Sequence, residues 1–367
     1  MQLRCIAATA PAKRLGAERS PMSFTVPSFT RGQVNRAGIV LLDQAANDQT
    51  KNDALSLINH WRACHAYPIN TFQATLRWRL RKVCINPLVA TRLKRLPSIS
   101  RKLETNHGMQ LARMQDVGGL RAVVDSVAQV RKLQEIYCDG GLVHELVGVD
   151  DYIANPKASG YRSLHLIYRY KNPGAPAYNG LSLELQFRTR LQHAWATAVE
   201  TIGTFLNQAL KSSEGPAEWL DYFKVVSSAF ALMEKCPVAT QHAGWQPSTV
   251  YKMAVGLGAQ LDVKRKLNAF AVAANAISSQ SAGGNYHLII LDAVERTVSV
   301  TSFGKQRLEE ANAAYAEAER KAAEHPDMQT VLVATSSIEA LRRAFPNYFL
   351  DTKQFLSALT RIEKLNA

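Results

Sequence analysis

The stretch LSLELQFRT, residues 181–189, alternates apolar and polar side chains without a break. Successive side chains on a strand point to opposite faces, so Leu181, Leu183, Leu185 and Phe187 share one face while Ser182, Glu184, Gln186 and Arg188 share the other. A chain carrying this strand must build a sheet with an apolar core on one side and a polar floor on the other. A carboxylate, an amide and a guanidinium in register describe the floor of a ligand site; an exposed strand would use the same alternation for solubility.

Neighbouring segments supply the rest of a sheet. LRAVVDSV (120–127), LVHELVGV (142–149) and YRSLHLIYRY (161–170) are rich in β-forming residues, and the helical VAQVRKLQEIY lies between the first two. The order is that of an α/β sheet. From Thr30 to Leu103 the apolar spacing predicts helices, broken by Pro68, Pro87 and Pro97. RLQHAWATAVETIGTFLNQAL places Leu191, Trp195, Val199, Ile202 and Leu206 on one stripe that packs against the sheet, and a second helical stretch runs from Ala217 to Glu234.

After Pro237 the composition shifts toward Gly, Gln, Ser and Ala, which predicts a domain boundary near 240. Beyond it a hairpin (285–303), a solvent-facing helix (306–325), a strand (330–336) and two helices (337–349 and 352–365) describe a small second α+β unit. Residues 1–29 read as a flexible N-terminal extension, with Met1 or Met22 as the start. The three expected units are thus 1–29, 30–239 and 240–367.

No run approaches the roughly 18 apolar residues of a membrane span, and Pro11, Lys13 and Arg14 interrupt the N-terminal apolar tract. The expectation is a cytoplasmic protein with no membrane partner. Cys5, Cys64, Cys84, Cys138 and Cys236 are far apart, with no metal-ligand spacing and no disulfide framework. Charge is more informative. Residues 1–105 hold 17 Lys and Arg against 5 Asp and Glu, which is +12 of the chain's net +14, and no acidic residue occurs from Ala54 to Leu103. Such density points to polyanionic partners such as phosphates, nucleotides or RNA, the alternative being a solvated helix face.

Chemistry-bearing residues gather in three further places. In QDVGGLRAVV, Asp116 precedes a Gly-Gly pair that reads as a tight turn, and Arg121 starts a strand. If Asp116 and Glu184 come together, the two carboxylates make a hard-oxygen site suited to magnesium. TRLKRLPSISRKL, residues 91–103, carries Arg92, Lys94, Ser98 and Lys102. PKASGYRSLH, residues 156–165, offers Lys157, Tyr161, Arg162 and His165 to grip a phosphate-bearing molecule, with Tyr161 as a stacking platform for a base. A Walker glycine loop is absent.

The pieces RLKRLPSISRKL, DVGGLR, DYIANPKASGYRSLH, LELQFRT and HAWA, in this order across residues 90–200, resemble the synthetase domain of the RelA/SpoT family of alarmone synthetases. The resemblance implies a mixed sheet flanked by helices, nucleotidyltransferase-like, which transfers pyrophosphate from ATP to a ribose 3′-hydroxyl with Mg2+ and releases AMP. It implies that Arg92 and Lys94, with Ser98 and Lys102, hold the ATP phosphates and that Arg121 lies against the adenine. Asp116 and Glu184 would bind magnesium, and Glu184 would also be the general base. Lys157, Tyr161, Arg162, His165, Gln186 and Arg188 would form the acceptor site, Tyr161 stacking on its base.

Two departures narrow the resemblance. Glu200 is followed by Thr201 where many members have an acidic residue followed by histidine, and no His-Asp dipeptide occurs, so the hydrolase of the long members is missing. With a basic N-terminal region and an extra C-terminal unit, the chain is similar to the toxic small alarmone synthetases, particularly the fused toxin–antitoxin type known as CapRel. That subgroup implies pyrophosphorylation of the 3′-CCA end of tRNA, which blocks translation in antiviral defence, and a zinc-finger-like C-terminal domain lacking zinc. Tyr348 and Phe349 would plug the active site, and a phage protein bound by the C-terminal domain would release it. The alternative is a (p)ppGpp or (p)ppApp synthetase acting on guanine or adenine nucleotides.

Overall fold

Thr30 opens the first helix with a reciprocal cap: its hydroxyl accepts from the Gln33 amide, and the Gln33 side chain accepts from the Thr30 amide at 2.8 Å. The computed structural model describes residues 24–205, 210, 215–267, 277–280, 286–292, 295, 297–304, 306–325, 328–334 and 352–366. The N-terminal helices are α1 (Arg31–Leu42), α2 (Asp48–Cys64) and α3 (Ala66–Leu80). They are followed by β1 (Leu88–Leu93), α4 (Leu96–Thr105), β2 (Gly118–Val124) and α5 (Val127–Cys138). Next come β3 (Glu145–Asp151), β4 (Leu164–Arg169), β5 (Ser182–Thr189), α6 (Arg190–Phe205) and α7 (Ala217–Met233).

The C-terminal part contributes α8 (Pro247–Gln260), β6 (Ile277–Gln280), β7 (Tyr286–Asp292), β8 (Thr297–Phe303), α9 (Leu308–Glu324), β9 (Met328–Ala334) and α10 (Lys353–Asn366). The strands form one mixed sheet in the order β3-β4-β5-β2-β1-β9-β7-β8-β6. Within it β2 and β5 are parallel, whereas β1–β2, β4–β5, β3–β4 and β1–β9 are antiparallel. The fold is therefore α+β, a mixed sheet flanked by helices.

The alternation of residues 181–189 does what it predicts. Leu183, Leu185 and Phe187 are wholly buried in the first core, with Phe72 and Leu76 of α3 and Val130 and Leu133 of α5. Trp195, Val199 and Ile202 of α6 enter a second core instead, built with α7, α8 and α10 through Phe223, Val250 and Phe355. Leu206 of the same stripe lies outside the described residues.

Several expectations change. Residues 88–93 are a strand rather than part of a helical run, because their hydrogen bonds pair with β2 on one side and β9 on the other. Pro97 sits in the first turn of α4, where its missing N–H costs nothing, so it starts a helix rather than breaking one. Gly118 and Gly119 make no turn; they open β2. A Cβ on Gly118 would lie 2.8 Å from Leu183 Cδ2 and 3.1 Å from His65 Cβ, so close packing of α3 on the sheet demands the glycine.

The 306–325 helix is not simply solvent-facing, since Ala311, Tyr315, Ala318 and Glu319 of α9 are buried. The hairpin is present as β7–β8, and both α8 and α10 share the core of α6 and α7 across the composition shift near 240.

Candidate functional site

Strand register assembles the site. Arg92 on β1 is paired with Gly119 on β2, and Gly119 with Glu184 on β5. One step along, Ala90, Arg121, Gln186, His165 and Asp150 follow one another across β1, β2, β5, β4 and β3. Residues opposite one another in neighbouring strands project to the same face. The polar floor read from β5 alone is therefore shared by five strands. Gly119 keeps that floor open between Arg92 and Glu184. A cleft of about 420 Å³, including its solvent-open part, is lined by Ala90, Arg92, Lys94, Asp116, Gly119, Leu120, Arg121, Glu184 and Gln186.

One half of the cleft is cationic. Asp116 accepts from Lys94 Nζ at 2.5 Å and from Lys102 Nζ at 2.9 Å. Burial and the Glu184 charge push the Asp116 carboxyl up, but the two ammonium groups outweigh them and hold it below its usual value. Burial lowers Lys94 despite Asp116. Burial, reinforced by Arg188 and Arg92, also pushes Arg121 down to about 9, so it remains a guanidinium at neutral pH. Four cations (Arg92, Lys94, Lys102 and Arg121) thus face two carboxylates.

The other half is a closed ring of hydrogen bonds. Glu184 Oε1 is 2.8 Å from His165 Nδ1, and His165 Nε2 is 2.9 Å from the Tyr161 hydroxyl. Arg188 Nη2 donates to that hydroxyl at 3.0 Å and to Gln186 Oε1 at 2.8 Å, and Gln186 Nε2 donates back to Glu184 Oε2 at 2.5 Å. Burial alone would lower the His165 imidazole, yet Tyr161 and Glu184 outweigh it and push it up to about 9. Burial would raise Glu184, but His165 and Gln186 hold it far below the usual carboxylate range.

Among the expected site residues, Arg92, Lys94, Asp116, Arg121, Glu184 and Gln186 meet in the cleft, Lys102 reaches it through Asp116, and His165 and Arg188 border it through the ring. Arg162 does not. It is buried away from the floor, its Nε donating to Ser227 Oγ at 3.1 Å and its Nη1 to the Ile153 carbonyl at 3.2 Å, so it ties the loop to α7 instead of gripping an acceptor. Gly160, at φ +87°, completes that tie, its carbonyl accepting from Ser227 Oγ at 2.5 Å.

Tyr161 offers no free face, being 5% exposed with its hydroxyl in the ring. Lys157 is exposed and rests over Tyr152, 4.4 Å from the ring centroid. Ser98 stands half-buried in the first turn of α4, outside the cleft lining. Tyr348 and Phe349 lie outside the described residues.

Tyr152 escaped the sequence reading, although it stands in DYIANPKASGYRSLH; its ring meets His165 edge-on at 5.2 Å. Among the described residues no cluster of three or more His, Cys, Asp or Glu could hold a metal. The pair Asp116 and Glu184 still suits magnesium, which commonly takes one or two carboxylates and completes its shell with substrate phosphates and water. With four cations around them, that ion fits only when it arrives with phosphate. No described helix is long and apolar enough to cross a membrane.

Residues 91–203 match the family model described as the region found in RelA/SpoT proteins. A GTP pyrophosphokinase of Haemophilus influenzae is 31% identical over 142 residues, 37% of this chain and 17% of that protein. The GTP pyrophosphokinase YjbM of Bacillus subtilis is 33% identical over 88 residues, 24% of this chain and 41% of that protein. The chain therefore spans about one-sixth of the Haemophilus relative and less than half of YjbM. Among solved structures, small alarmone synthetase 2 of B. subtilis aligns at 21% identity and TM-score 0.40, covering 51% of this chain and 95% of that one. Small alarmone synthetase 1 of the same organism, bound to its product pppGpp, aligns at 25% identity and TM-score 0.34, covering 40% and 73%. Residues 91–203 are thus a RelA/SpoT synthetase region with pyrophosphokinases among its relatives.

Proposed function

We propose that this chain is an ATP-dependent pyrophosphokinase of the RelA/SpoT type, without hydrolase activity. A ribose 3′-oxygen attacks the β-phosphorus of ATP, the bond from that phosphorus to the α–β bridging oxygen breaks, and AMP leaves. The observation that carries this reading is the strand register that sets Arg92 and Arg121 across from Glu184 and Gln186, with Lys94, Lys102 and Asp116 at the rim. Phosphoryl transfer asks a protein for alignment and charge neutralisation more than for covalent chemistry, and these residues supply both.

Arg92, Lys94 and Lys102 hold the polyphosphate, while Arg121 borders the nucleotide. Magnesium, held by Asp116 and Glu184 against the phosphates, would neutralise charge on the transferred group. Glu184 takes the proton of the attacking hydroxyl. Each of its two oxygens takes one hydrogen bond, from His165 and from Gln186, and keeps a further acceptor position for that hydroxyl.

The acceptor we favour is the 3′-CCA end of tRNA, whose pyrophosphorylation prevents aminoacylation and halts translation. The support is the +12 excess of residues 1–105, since RNA is gripped largely through its phosphates and shape. In this reading the protein is a cytoplasmic toxin of phage defence. A guanine or adenine nucleotide acceptor is the second reading, its guanine form favoured by relatives named as GTP pyrophosphokinases.

The deciding experiment incubates the purified chain with γ-labelled ATP and magnesium, offering tRNA, tRNA lacking its 3′-CCA, GDP, GTP and AMP in parallel. Label on intact tRNA alone is the expected result. Label on a free nucleotide replaces it with the second reading, and no AMP release with any acceptor removes the pyrophosphokinase reading altogether.

A further inference from the structure

Arg62 on α2 and Glu319 on α9, 257 positions apart, form a 2.7 Å ion pair in which each side chain is 3% exposed. A pair buried this deeply gains little net stability, because the loss of hydration offsets the attraction. Its geometry is more telling. Arg62 Nε donates to the Lys94 carbonyl at 2.9 Å, and Glu319 Oε1 accepts from the Leu96 amide at 2.8 Å. The guanidinium also donates to Asn59 Oδ1 at 2.7 Å and lies over the Tyr315 ring, 5.0 Å from its centroid.

These contacts converge on residues 94–96, the turn joining β1 to α4. Arg92 stands before it, Lys94 within it and Lys102 after it. Arg95, which caps α4, makes no side-chain capping bond, so Glu319 supplies from a distant helix both an acceptor and a negative charge at the helix start. On the other side of the same segment, β9 pairs Ala334 with Thr91 and Val333 with Arg92. The C-terminal unit thus grips the backbone of the cation-bearing segment at two consecutive places.

We infer that Glu319 is a positioning residue for the phosphate grip: through Arg62 and the Leu96 amide it fixes the turn that sets Arg92 and Lys94 against Lys102 and Asp116. The inference rests on the reading of this cleft as the ATP site. Lys94 and Lys102 meet one carboxylate from opposite ends of the turn, at 2.5 and 2.9 Å, so a small swing of α4 against β1 separates them. Misplacement by about 1 Å costs on the order of 10²-fold in such arrangements. The C-terminal unit is then a builder of the donor half of the site.

The test compares full-length wild type with Arg62→Met/Glu319→Leu, Glu319→Gln and the control Leu332→Ala, whose side chain is buried in the small core beside α9. ATP affinity is titrated without acceptor, and KM, kcat and Tm are measured alongside. The double variant removes both charges and strands neither. It is expected to unfold cooperatively, to raise the ATP Kd and KM about tenfold or more, and to keep kcat at saturating ATP nearly unchanged. Glu319→Gln, which retains an acceptor for Leu96, should show a smaller rise.

An unchanged ATP Kd in the folded double variant overturns the inference, as does an equal rise in Leu332→Ala. If the double variant does not fold, the near-isosteric Glu319→Gln decides by the same criteria. Wild type that binds ATP yet releases no AMP with any acceptor removes the pyrophosphokinase reading while the Kd comparison still stands; wild type that binds no ATP removes both.

Discussion

The two halves of the cleft are built on opposite plans. On the β1–α4 side, Lys94 and Lys102 share the Asp116 carboxylate beside Arg92, a cationic cluster suited to an entering anion. On the β4–β5 side, Glu184, His165, Tyr161, Arg188 and Gln186 satisfy one another in a closed ring. One half is suited to receive a polyphosphate, and the other holds its carboxylate in a fixed network beside it. Substitutions should therefore separate binding from chemistry along this line.

The largest effect is expected at Glu184. Glu184→Gln keeps the size of the side chain but loses the base, so AMP release should fall by about 10² to 10⁴ while ATP affinity measured without magnesium stays near that of wild type. Parallel ATP titration and AMP-release assays read both. An equal collapse of ATP affinity would show that the halves are not separable.

Lys94→Met is the mirror image. It removes a phosphate ligand and leaves Asp116 with Lys102 alone, so ATP-dependent kcat/KM should drop about 10²-fold, with KM carrying much of the loss. A drop confined to kcat would move Lys94 from grip to chemistry and blur the comparison.

What could be read beforehand follows the same division. The floor of the site was legible in LSLELQFRT because strand alternation is local, and Arg92, Lys94 and Asp116 were legible because each stands in a short motif. The ring was not. His165 meets Glu184 through cross-strand register, in which His165 is opposite Gln186, and no spacing along one strand encodes that. Arg162 stands in the same decapeptide as Tyr161 and His165, yet it points to Ser227 on α7. Strand β1 was hidden by its shortness, its cations and its flanking prolines, and its edge pairing to β9 depends on residues more than 200 positions away. Glu319 looked like one acid among many on a charged helix until α9 was placed against α2.

The glycine pair of β2 sharpens the contrast between packing and function within two adjacent residues. Gly118→Ala forces a methyl to 2.8 Å from Leu183, so it should lower stability by about 1–3 kcal/mol in urea unfolding while the folded fraction keeps its activity. Gly119→Ala meets only Glu184 and Arg92 carbonyl oxygens at 3.8 and 3.9 Å, ordinary contact distances. It should leave stability nearly unchanged and weaken ATP by narrowing the floor. The reverse pattern would mean that the cleft between Arg92 and Glu184 is not where the polyphosphate lies.

Two buried histidines offer the mildest test, because they titrate in opposite directions. His165 is pushed up to about 9, whereas burial pushes His65, on the helical side of the sheet, down to about 4 despite its bonds to backbone carbonyls. Against an ordinary value of about 6.5, the stability from His165 is complete below that pH and is lost as pH rises through 9. The stability from neutral His65 is complete above that pH and is lost as pH falls toward 4. Each slope can reach at most about 1.4 kcal/mol per pH unit. Urea unfolding of His165→Gln across pH 4 to 9.5 should lose the alkaline decline and keep the acidic one, with the opposite for His65→Gln. A His165→Gln protein that retains the full alkaline decline would show that the imidazole is neutral in the ring. The Tyr161 hydroxyl would then donate to Nε2, and Glu184 would be a stronger base, held less tightly than its partners imply.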